Sequence, residues 1–267
     1  MYVDVHTHLT HEKFATDLDS VIDRAVQAGV TAMVVNGLEP RSNREILALA
    51  ARRPVIKPAL GLYPIDAVND LLPADFPLTV AQFPVDAEIA FIRAAAAAGS
   101  LAAIGECGLD GHWLPPETFK AQEAVFERLI EIALAFDLPL IIHTRKLERR
   151  AIEILKTHGV RKVDFHCFGG RVKLAEQCAH EERWWFSIPA NAGVNEAFRK
   201  MLAVLPEDRI LTETDAPYLA PLRGERNEPA NVVGTVALLA ELRGWDVQTA
   251  QARIYRNYVE LFGEKWA

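Results

Sequence analysis

The residues best suited to chemistry begin almost at the start of the chain. His6 and His8 lie one residue apart in the stretch VDVHTHL, within an apolar, β-branched run that predicts a buried strand. Residues two apart in an extended strand face the same side, so both imidazoles can bind one cation. Two buried histidines can equally be hydrogen-bonded core residues, and the pair alone leaves both interpretations open.

Four further residues of ligand type follow at the ends of later apolar runs. They are Glu106 after LAAIG, His143 after LPLII, His166 in VDFHC and Asp215 in ILTETD. Any one of them would be ordinary there, because a strand-end histidine is usually hydrogen-bonded and an acid can cap the next helix. As a set they predict partners for the two histidines.

The elements that must position these residues alternate along the whole chain, short apolar runs followed by longer amphipathic ones. The predicted strands are Tyr2–His6, Thr31–Asn36, Val55–Leu62, Leu101–Cys107, Leu138–His143, Lys162–His166, Trp184–Ile188 and Arg209–Thr214. Helices are predicted at Leu18–Ala28, Arg44–Ala51, Thr118–Phe136, Glu148–Thr157 and Val172–His180, with closing helices at Asn231–Arg243 and Val247–Phe262.

This alternation predicts an α/β fold, a closed (β/α)8 TIM barrel in which residues 1–267 form one domain. The strands are near-continuous apolar runs, as expected when helices cover a parallel sheet. A doubly wound open sheet is the alternative, although no Gly-rich phosphate loop follows the first strand. The Pro-rich stretch from Leu72 to Pro84 is predicted to be a long loop. In a barrel the loops after the strands build the active face, where the six polar residues should meet.

Their chemistry predicts a centre for two divalent ions. Imidazole with carboxylate suits Zn²⁺, Mn²⁺ or Fe²⁺, whereas Mg²⁺ prefers sites richer in oxygen. His6 and His8 would bind one ion and His143 and His166 the other, with Glu106 bridging both from the strand between. Asp215 should lie beside the first strand once the barrel closes, where it can bind the first ion and accept a proton from water. Two ions about 3.5–4 Å apart suit hydrolytic displacement.

Composition narrows the class of protein. A net charge of −7 argues against a general nucleic-acid coating protein, because that affinity comes from Lys and Arg. Three cysteines without paired spacing predict a reducing compartment. No apolar run reaches the roughly 20 residues that span a bilayer, and the N-terminus enters a strand pattern without a basic leader. We therefore expect a cytoplasmic enzyme with no membrane association.

Six stretches resemble the TatD-related metal-dependent deoxyribonucleases: VDVHTHL, AIGECGLD, LPLIIHTR, HCFGG, LTETDAPYL and RNEP, in this order and spacing. The resemblance extends from Val3 to the region of Asn257. It implies a barrel of the amidohydrolase type, two divalent ions (zinc, manganese or magnesium), and exonuclease-like hydrolysis of DNA, single-stranded or at ends, by a metal-bound hydroxide. The metal ligands of that family match the six residues above, with Asp215 and Glu106 as the catalytic acids.

The resemblance also bears on substrate contacts. Relatives often carry a histidine where the GLYP segment has Tyr63, which we predict to contact substrate near the mouth of the site. Arg145 matches a basic position of the family and is predicted to bind phosphate, whereas Arg149 and Arg150 read more simply as a solvated helix start. Many amidohydrolases bridge their ions with a carbamylated lysine; Glu106 in its place is typical of the TatD branch.

Several neighbours of the ligands have simpler interpretations. Asp4 and Glu213 share strands with ligands and either orient a ligand or hydrogen-bond to a loop. Strand alternation predicts that Cys107 and Cys167 turn away from the ligands. The aromatic residues Trp113 and Tyr218 are expected in loops above the barrel, where they can stack on a base or pack a loop.

Two other functions remain open at this stage. The same ions could serve an amidohydrolase or esterase acting on a small molecule, which the net acidity favours. A binding or scaffold protein built on the barrel is the third possibility, and the complete ligand set argues against it. Cleavage of DNA by the metal-loaded protein separates the first hypothesis from the others.

Overall fold

Eight strands alternate with nine α-helices in the computed structural model, which describes residues 1–267. The strands are β1 (Tyr2–Thr7), β2 (Val30–Asn36), β3 (Ile56–Leu60), β4 (Ala103–Asp110), β5 (Leu140–Arg145), β6 (Val163–His166), β7 (Trp185–Ile188) and β8 (Ile210–Thr212). The helices are α1 (Leu18–Gln27), α2 (Pro40–Arg52), α3 (Val85–Ala97), α4 (Phe119–Ala135), α5 (Glu148–Thr157), α6 (Val172–Glu181), α7 (Glu196–Val204), α8 (Val232–Arg243) and α9 (Val247–Phe262).

All eight strands form one parallel sheet in sequence order, from β1 to β8. The sheet closes through a parallel bridge between Thr7 and Ala216, where the His8 backbone N–H donates to the Ala216 carbonyl at 2.8 Å. The Asp215 N–H donates in turn to the His6 carbonyl at 2.9 Å. The predicted (β/α)8 barrel is confirmed, because a doubly wound sheet would leave both edges open.

The seam of the barrel depends on the Asp4 side chain. Because β8 ends at Thr212, the chain beyond it has few ladder bonds to β1, and a carboxylate takes their place. Asp4 is fully buried and accepts hydrogen bonds from the Thr214 N–H at 2.9 Å and the Thr214 hydroxyl at 2.6 Å. Asp4 thereby fixes the segment that carries Asp215.

The ends of several helices are set by local capping residues and by glycines. The helix predicted from Arg44 begins at Pro40, because Glu39 and Ser42 form a reciprocal capping box around it. Gly29 and Gly159 take left-handed conformations directly after α1 and α5, as expected of helix stops. The helices α3 and α7 were not delimited from the sequence.

The predicted ends of two strands are wrong in a way that matters for the site. Strand β4 continues to Asp110 and β5 to Arg145, three and two residues beyond the predicted ends, and the two extensions pair with each other. These extensions contain polar residues, so an apolar pattern predicts that the strands end earlier than they do. The stretch from Leu72 to Pro84 has no helix or strand, as predicted. No helix combines the length and apolar character needed to cross a membrane.

Candidate metal centre

One half of the site lies where β1 meets the end of the chain segment after β8. The Nε2 atoms of His6 and His8 lie 3.1 Å apart, and each lies 3.3 Å from Glu106 Oε2. Asp215 Oδ1 completes this half at 3.4 Å from His8 Nε2 and 3.8 Å from His6 Nε2. Residues from three distant parts of the chain thus converge on one small volume.

The other half uses the second oxygen of the same carboxylate. Glu106 Oε1 lies 3.0 Å from His143 Nδ1 and 3.0 Å from His166 Nε2, and these two nitrogens are 3.4 Å apart. Each oxygen of Glu106 therefore faces its own pair of imidazole nitrogens, the arrangement expected of a bridging ligand. The structure brings all six predicted ligand residues together.

The donor set fits divalent metal ions. In a tetrahedral site with bonds of about 2.0–2.1 Å, neighbouring donor atoms are about 3.4 Å apart. The three sets of nitrogen and oxygen atoms here, His6–His8–Glu106, His6–His166–Asp215 and Glu106–His143–His166, each lie within 4.8 Å of one another. Glu106 is 2 % exposed and His6 is 0 % exposed, so solvent does not screen the interactions within the cluster.

For His8 and His143, a hydrogen bond to the outward nitrogen fixes which nitrogen of the ring faces the cluster. The Asn36 carbonyl can only accept, so His8 Nδ1 donates to it at 3.2 Å and leaves Nε2 free to bind a cation. On the other side, His143 Nε2 donates to Asp110 Oδ2 at 3.0 Å and leaves Nδ1 free. His166 stacks on His6 with ring centres 3.8 Å apart.

Electrostatics in the cluster favour positive charge between its carboxylates. Burial alone would raise the pKa of Glu106, but His166 and His143 hold it well below its ordinary range. Burial also opposes ionisation of Asp215, and the hydrogen bond with His8 outweighs it and lowers the pKa of that carboxyl. Conversely, contacts with Asp215 and Glu106 overcome burial and raise the pKa of His8 to about 10. Two ionised carboxylates therefore attract either protons or a metal ion to this site.

A cavity of about 780 Å³ opens above the cluster at the C-terminal ends of the strands. Tyr63 and Arg145, the two predicted substrate contacts, both line it, and so do Trp113 and Tyr218. Tyr63 Oη lies 3.5 Å from His143 Nε2. Tyr218 Oη lies 3.0 Å from His11 Nε2, and the residue is 46 % exposed.

Comparison with known proteins agrees with the fold. The sequence profile of the TatD related DNases matches residues 3–263. The chain belongs to this family. It is similar to the uncharacterized metal-dependent hydrolase YabD of Bacillus subtilis, at 31 % identity over 98 % of this chain and 99 % of that protein. It is also 31 % identical to the 3'-5' ssDNA/RNA exonuclease TatD of Enterobacter lignolyticus, over 97 % of this chain and 98 % of the relative.

A solved structure of the same family supports the assignment. The TatD homolog YjjV of Escherichia coli superposes with a TM-score of 0.84 at 25 % identity, over 98 % of this chain and 97 % of that one. The resemblance drawn from the six stretches is thus confirmed. Membership of a family of metal-dependent hydrolases also agrees with the predicted metal dependence.

Asp110 is the residue at the site that the sequence did not predict. Its carboxylate is fully buried, with Oδ2 on His143 and Oδ1 accepting the N–H groups of His112 and Trp113 at 2.7 Å each. The GLD sequence after Glu106 was the available signal. Because β4 was predicted to end at Cys107, Asp110 was not considered at the active face.

The prediction that Cys167 turns away from the ligands is wrong. The residue lines the cavity while it also packs, partly buried, against the core, because β6 ends at His166 and Cys167 takes a left-handed conformation with φ of 43°, which breaks strand alternation. Cys107 is buried, and its thiol lies against the Ile141 carbonyl, away from the cavity. Glu213, which was expected either to orient a ligand or to bond to a loop, accepts from the Cys167 N–H at 3.0 Å.

Proposed function

We propose that this protein is a metal-dependent deoxyribonuclease that hydrolyses phosphodiester bonds at the end of a single strand of DNA. The proposal rests on the position of the Glu106 carboxylate. Each of its two oxygens faces a separate pair of imidazole nitrogens. A bridged pair of cations is the arrangement that phosphodiester hydrolysis uses most directly.

The ligand assignment follows the two halves of the cluster. His6, His8 and Asp215 would hold one divalent ion and His143 and His166 the other, with Glu106 between them. The candidates are zinc, manganese and magnesium, and the four imidazoles favour zinc or manganese. When bound, such ions lower the pKa of water and neutralise the charge that develops on the phosphoryl oxygens.

Asp215 is the proposed proton acceptor. Its contact with His8 keeps the carboxylate ionised, despite burial, so that it can take the proton of the attacking water. Glu106 serves catalysis by holding the spacing of the two halves. Its side chain is buried and is fixed by four imidazoles, so that spacing is rigid.

Tyr63 and Arg145 are the proposed substrate contacts. Burial and the charge of Glu106 raise the pKa of Tyr63 above its ordinary value, so the phenol stays protonated and donates a hydrogen bond. Arg145 is the only arginine or lysine that lines the cavity, and it would bind a non-bridging phosphate oxygen. The name of the Enterobacter relative, a single-strand exonuclease, supports a substrate with a free end.

The test is an EDTA-sensitive nuclease assay paired with elemental analysis. Purified protein is loaded with Mn²⁺, Zn²⁺ or Mg²⁺ and incubated with end-labelled single-stranded DNA. We expect mononucleotide products from one end, abolished by EDTA and by His6→Ala. Absence of cleavage with all three metals contradicts the proposal.

A small-molecule hydrolase is the second candidate, and one observation favours it. Arg145 is the only lysine or arginine that lines the central cavity, and nine of the nineteen lining residues are hydrophobic. Such a cavity also suits a neutral ester or amide. Turnover of these substrates by a metal-loaded protein that leaves DNA intact would establish this function instead.

A further inference from the structure

The rim of the central cavity is divided by chemistry. Most of the aromatic and aliphatic lining residues come from the loops after β2, β3, β4 and β8, among them Tyr63, Leu78, Trp113 and Tyr218. The end of β5 and the segments after β6 and β7 contribute the polar residues Arg145, Asn191 and Asn195, together with Cys167, Gly169 and Phe198. One side of the cavity is thus suited to bases and the other to a charged backbone.

Two further depressions continue the polar side outward. One, of about 590 Å³, lies between the loops after β5 and β6 and shares Gly169 with the central cavity. The other, of about 670 Å³, lies along the start of α7 and shares Asn191 and Asn195 with it. Gly169, Asn191 and Asn195 are therefore the residues at which the central cavity adjoins these two depressions.

Four cations in these depressions have no acidic partner. They are Lys146, Arg149, Arg171 and Lys200, which we call the basic tract. Their neighbours differ in this respect: Arg150 binds Glu123 at 2.7 Å, and Arg199 lies 3.4 Å from Glu241. From the sequence, both Arg149 and Arg150 are predicted to lie at a solvated helix start. The structure shows that they differ, because only Arg150 has an ion pair.

The tract is unusual for a chain with a net charge of −7. Two acids do line the same depressions, Glu148 and Glu196. Glu148 accepts a hydrogen bond from the Lys146 backbone N–H at 3.0 Å, which occupies one of its oxygens. Four unpaired cations against two acids leave this edge of the active face positive, so it attracts phosphate.

Gly169 lies at the junction between the central cavity and the tract. It is exposed, and a Cβ there would meet only Glu148 Oε1, at 3.9 Å. The fold would accept a side chain at this position, unlike the adjacent Gly170, whose Cβ would come 2.6 Å from the Phe168 ring. A bulky side chain at 169 would instead narrow the passage.

We propose that the basic tract is the exit path of a polynucleotide, so that the enzyme prefers single strands of several nucleotides over single phosphodiesters. The inference rests on the proposed nuclease function. The scissile phosphate lies at the metal cluster and the terminal base against the aromatic side. The retained strand crosses Gly169, and its phosphates bind Lys146, Arg149, Arg171 and Lys200.

The test compares a thymidine dinucleotide, which has no phosphate beyond the scissile one, with an oligothymidylate of about 12 nucleotides. The variant is Arg171→Ala combined with Lys200→Ala. The control is Arg161→Ala, an exposed arginine without an ion pair before β6, at the opposite end of the barrel. In the double variant the ratio of kcat/KM for oligonucleotide to that for dinucleotide should fall about tenfold, because two charge-assisted contacts are lost.

Binding gives a readout that does not need catalysis. Anisotropy of the labelled oligonucleotide is measured with Asp215→Asn protein, with and without the double substitution. We expect the double substitution to weaken oligonucleotide binding. The salt slope, the steepness with which the logarithm of the binding constant falls with the logarithm of salt concentration, should be lower by about 1.4, because each phosphate contact to a single strand contributes about 0.7. A second variant, Gly169→Leu, should lower the same kcat/KM ratio while the melting temperature stays unchanged.

The outcomes separate the two proposals. If DNA is cleaved but the ratio and the salt slope match those of Arg161→Ala, the exit path is wrong and the nuclease function stands. If no DNA is cleaved but the double variant still loses affinity and salt slope, the tract binds single strands and the nuclease function is wrong.

Discussion

Asp110 Oδ2 lies 3.0 Å from His143 Nε2, on the side of the ring opposite the Nδ1 atom that faces Glu106. This contact fixes both the tautomer and the plane of the imidazole. A histidine ligand held by a buried carboxylate is also more basic, and so a better donor to a metal. Asp110 therefore positions one half of the cluster without being part of it.

Replacing Asp110 should weaken metal binding. We expect Asp110→Ala to lower metal affinity about 10- to 100-fold, because His143 loses the partner that orients it. Asp110→Asn keeps an acceptor oxygen without the charge, so its metal affinity should lie between those of Asp110→Ala and the wild type. Competition with a chromogenic chelator measures the affinities. Asp75→Ala, at an exposed aspartate, is the control, and an Asp110→Ala protein with the metal affinity of that control would contradict the role.

Asp215→Asn should separate catalysis from metal binding. Glu106, His143 and His166 form a donor group that does not include Asp215, so at least one ion should remain bound. Hydrolysis should fall at least about 100-fold, because the proton acceptor is lost. Elemental analysis and a turnover assay on the same sample test both parts. An unchanged rate would exclude Asp215 as the base.

Tyr63→Phe should affect the substrate and not the metals. The phenol lies 3.5 Å from His143 Nε2, the nitrogen that points away from the cluster, so metal content should stay the same. We expect kcat/KM for DNA to fall about tenfold, since one hydrogen bond to a charged group is lost. Tyr255→Phe on α9 serves as the control. Equal kcat/KM in both variants would remove Tyr63 from the substrate site.

Removal of metal should destabilise the fold. An ion at 100 times its dissociation constant stabilises the folded state by about 2.7 kcal/mol, which corresponds to several degrees in melting temperature. The wild type should therefore melt lower in EDTA than with Zn²⁺ or Mn²⁺. His6→Ala should show a smaller difference, because it lacks a ligand. A melting temperature insensitive to EDTA would argue against a bound structural role for the ions.

A partly buried acid outside the cluster makes stability depend on pH. Burial of Asp66, with the nearby Glu39, raises its pKa to about 7. An aspartate in the unfolded chain titrates near 3.9, so the folded state holds this proton more tightly, and stability falls as the pH rises from about 4 to about 7. Asp66→Asn removes this loss, and its stability relative to the wild type should increase over that range. Urea denaturation in EDTA measures it, with the exposed Asp70→Asn as the control. A constant difference between the variant and the wild type would refute the assignment.

The convergence of the six residues of the cluster could be predicted because their signal is local. A metal site needs particular residue types, and strand alternation determines which side they face. His6 and His8 carry both kinds of information within three residues, and parallel strands bring their C-terminal ends to one face of a barrel. The order of Glu106, His143, His166 and Asp215 on successive strands then predicts which residues become neighbours.

Contacts between residues far apart in the chain were not predictable in this way. The Asp110–His143 pair depends on the extension of β4 and β5 beyond their apolar segments, where they continue to pair with each other. Cys167 lines the cavity because one residue with positive φ interrupts the alternation. The pairing of Asp4 with Thr214 spans 210 residues and exists only once the barrel has closed.

The sequence by itself determined the barrel, the family and the residue types of the cluster, because periodicity and residue chemistry repeat along the chain. Only the tertiary structure decided which charged side chains form ion pairs within the protein and which remain unpaired. Arg149 and Arg150 are identical neighbours in the sequence, but Glu123 on α4 reaches only Arg150. The physical reason is distance: an ion pair depends on a few ångströms between side chains of separate helices, which no local pattern encodes.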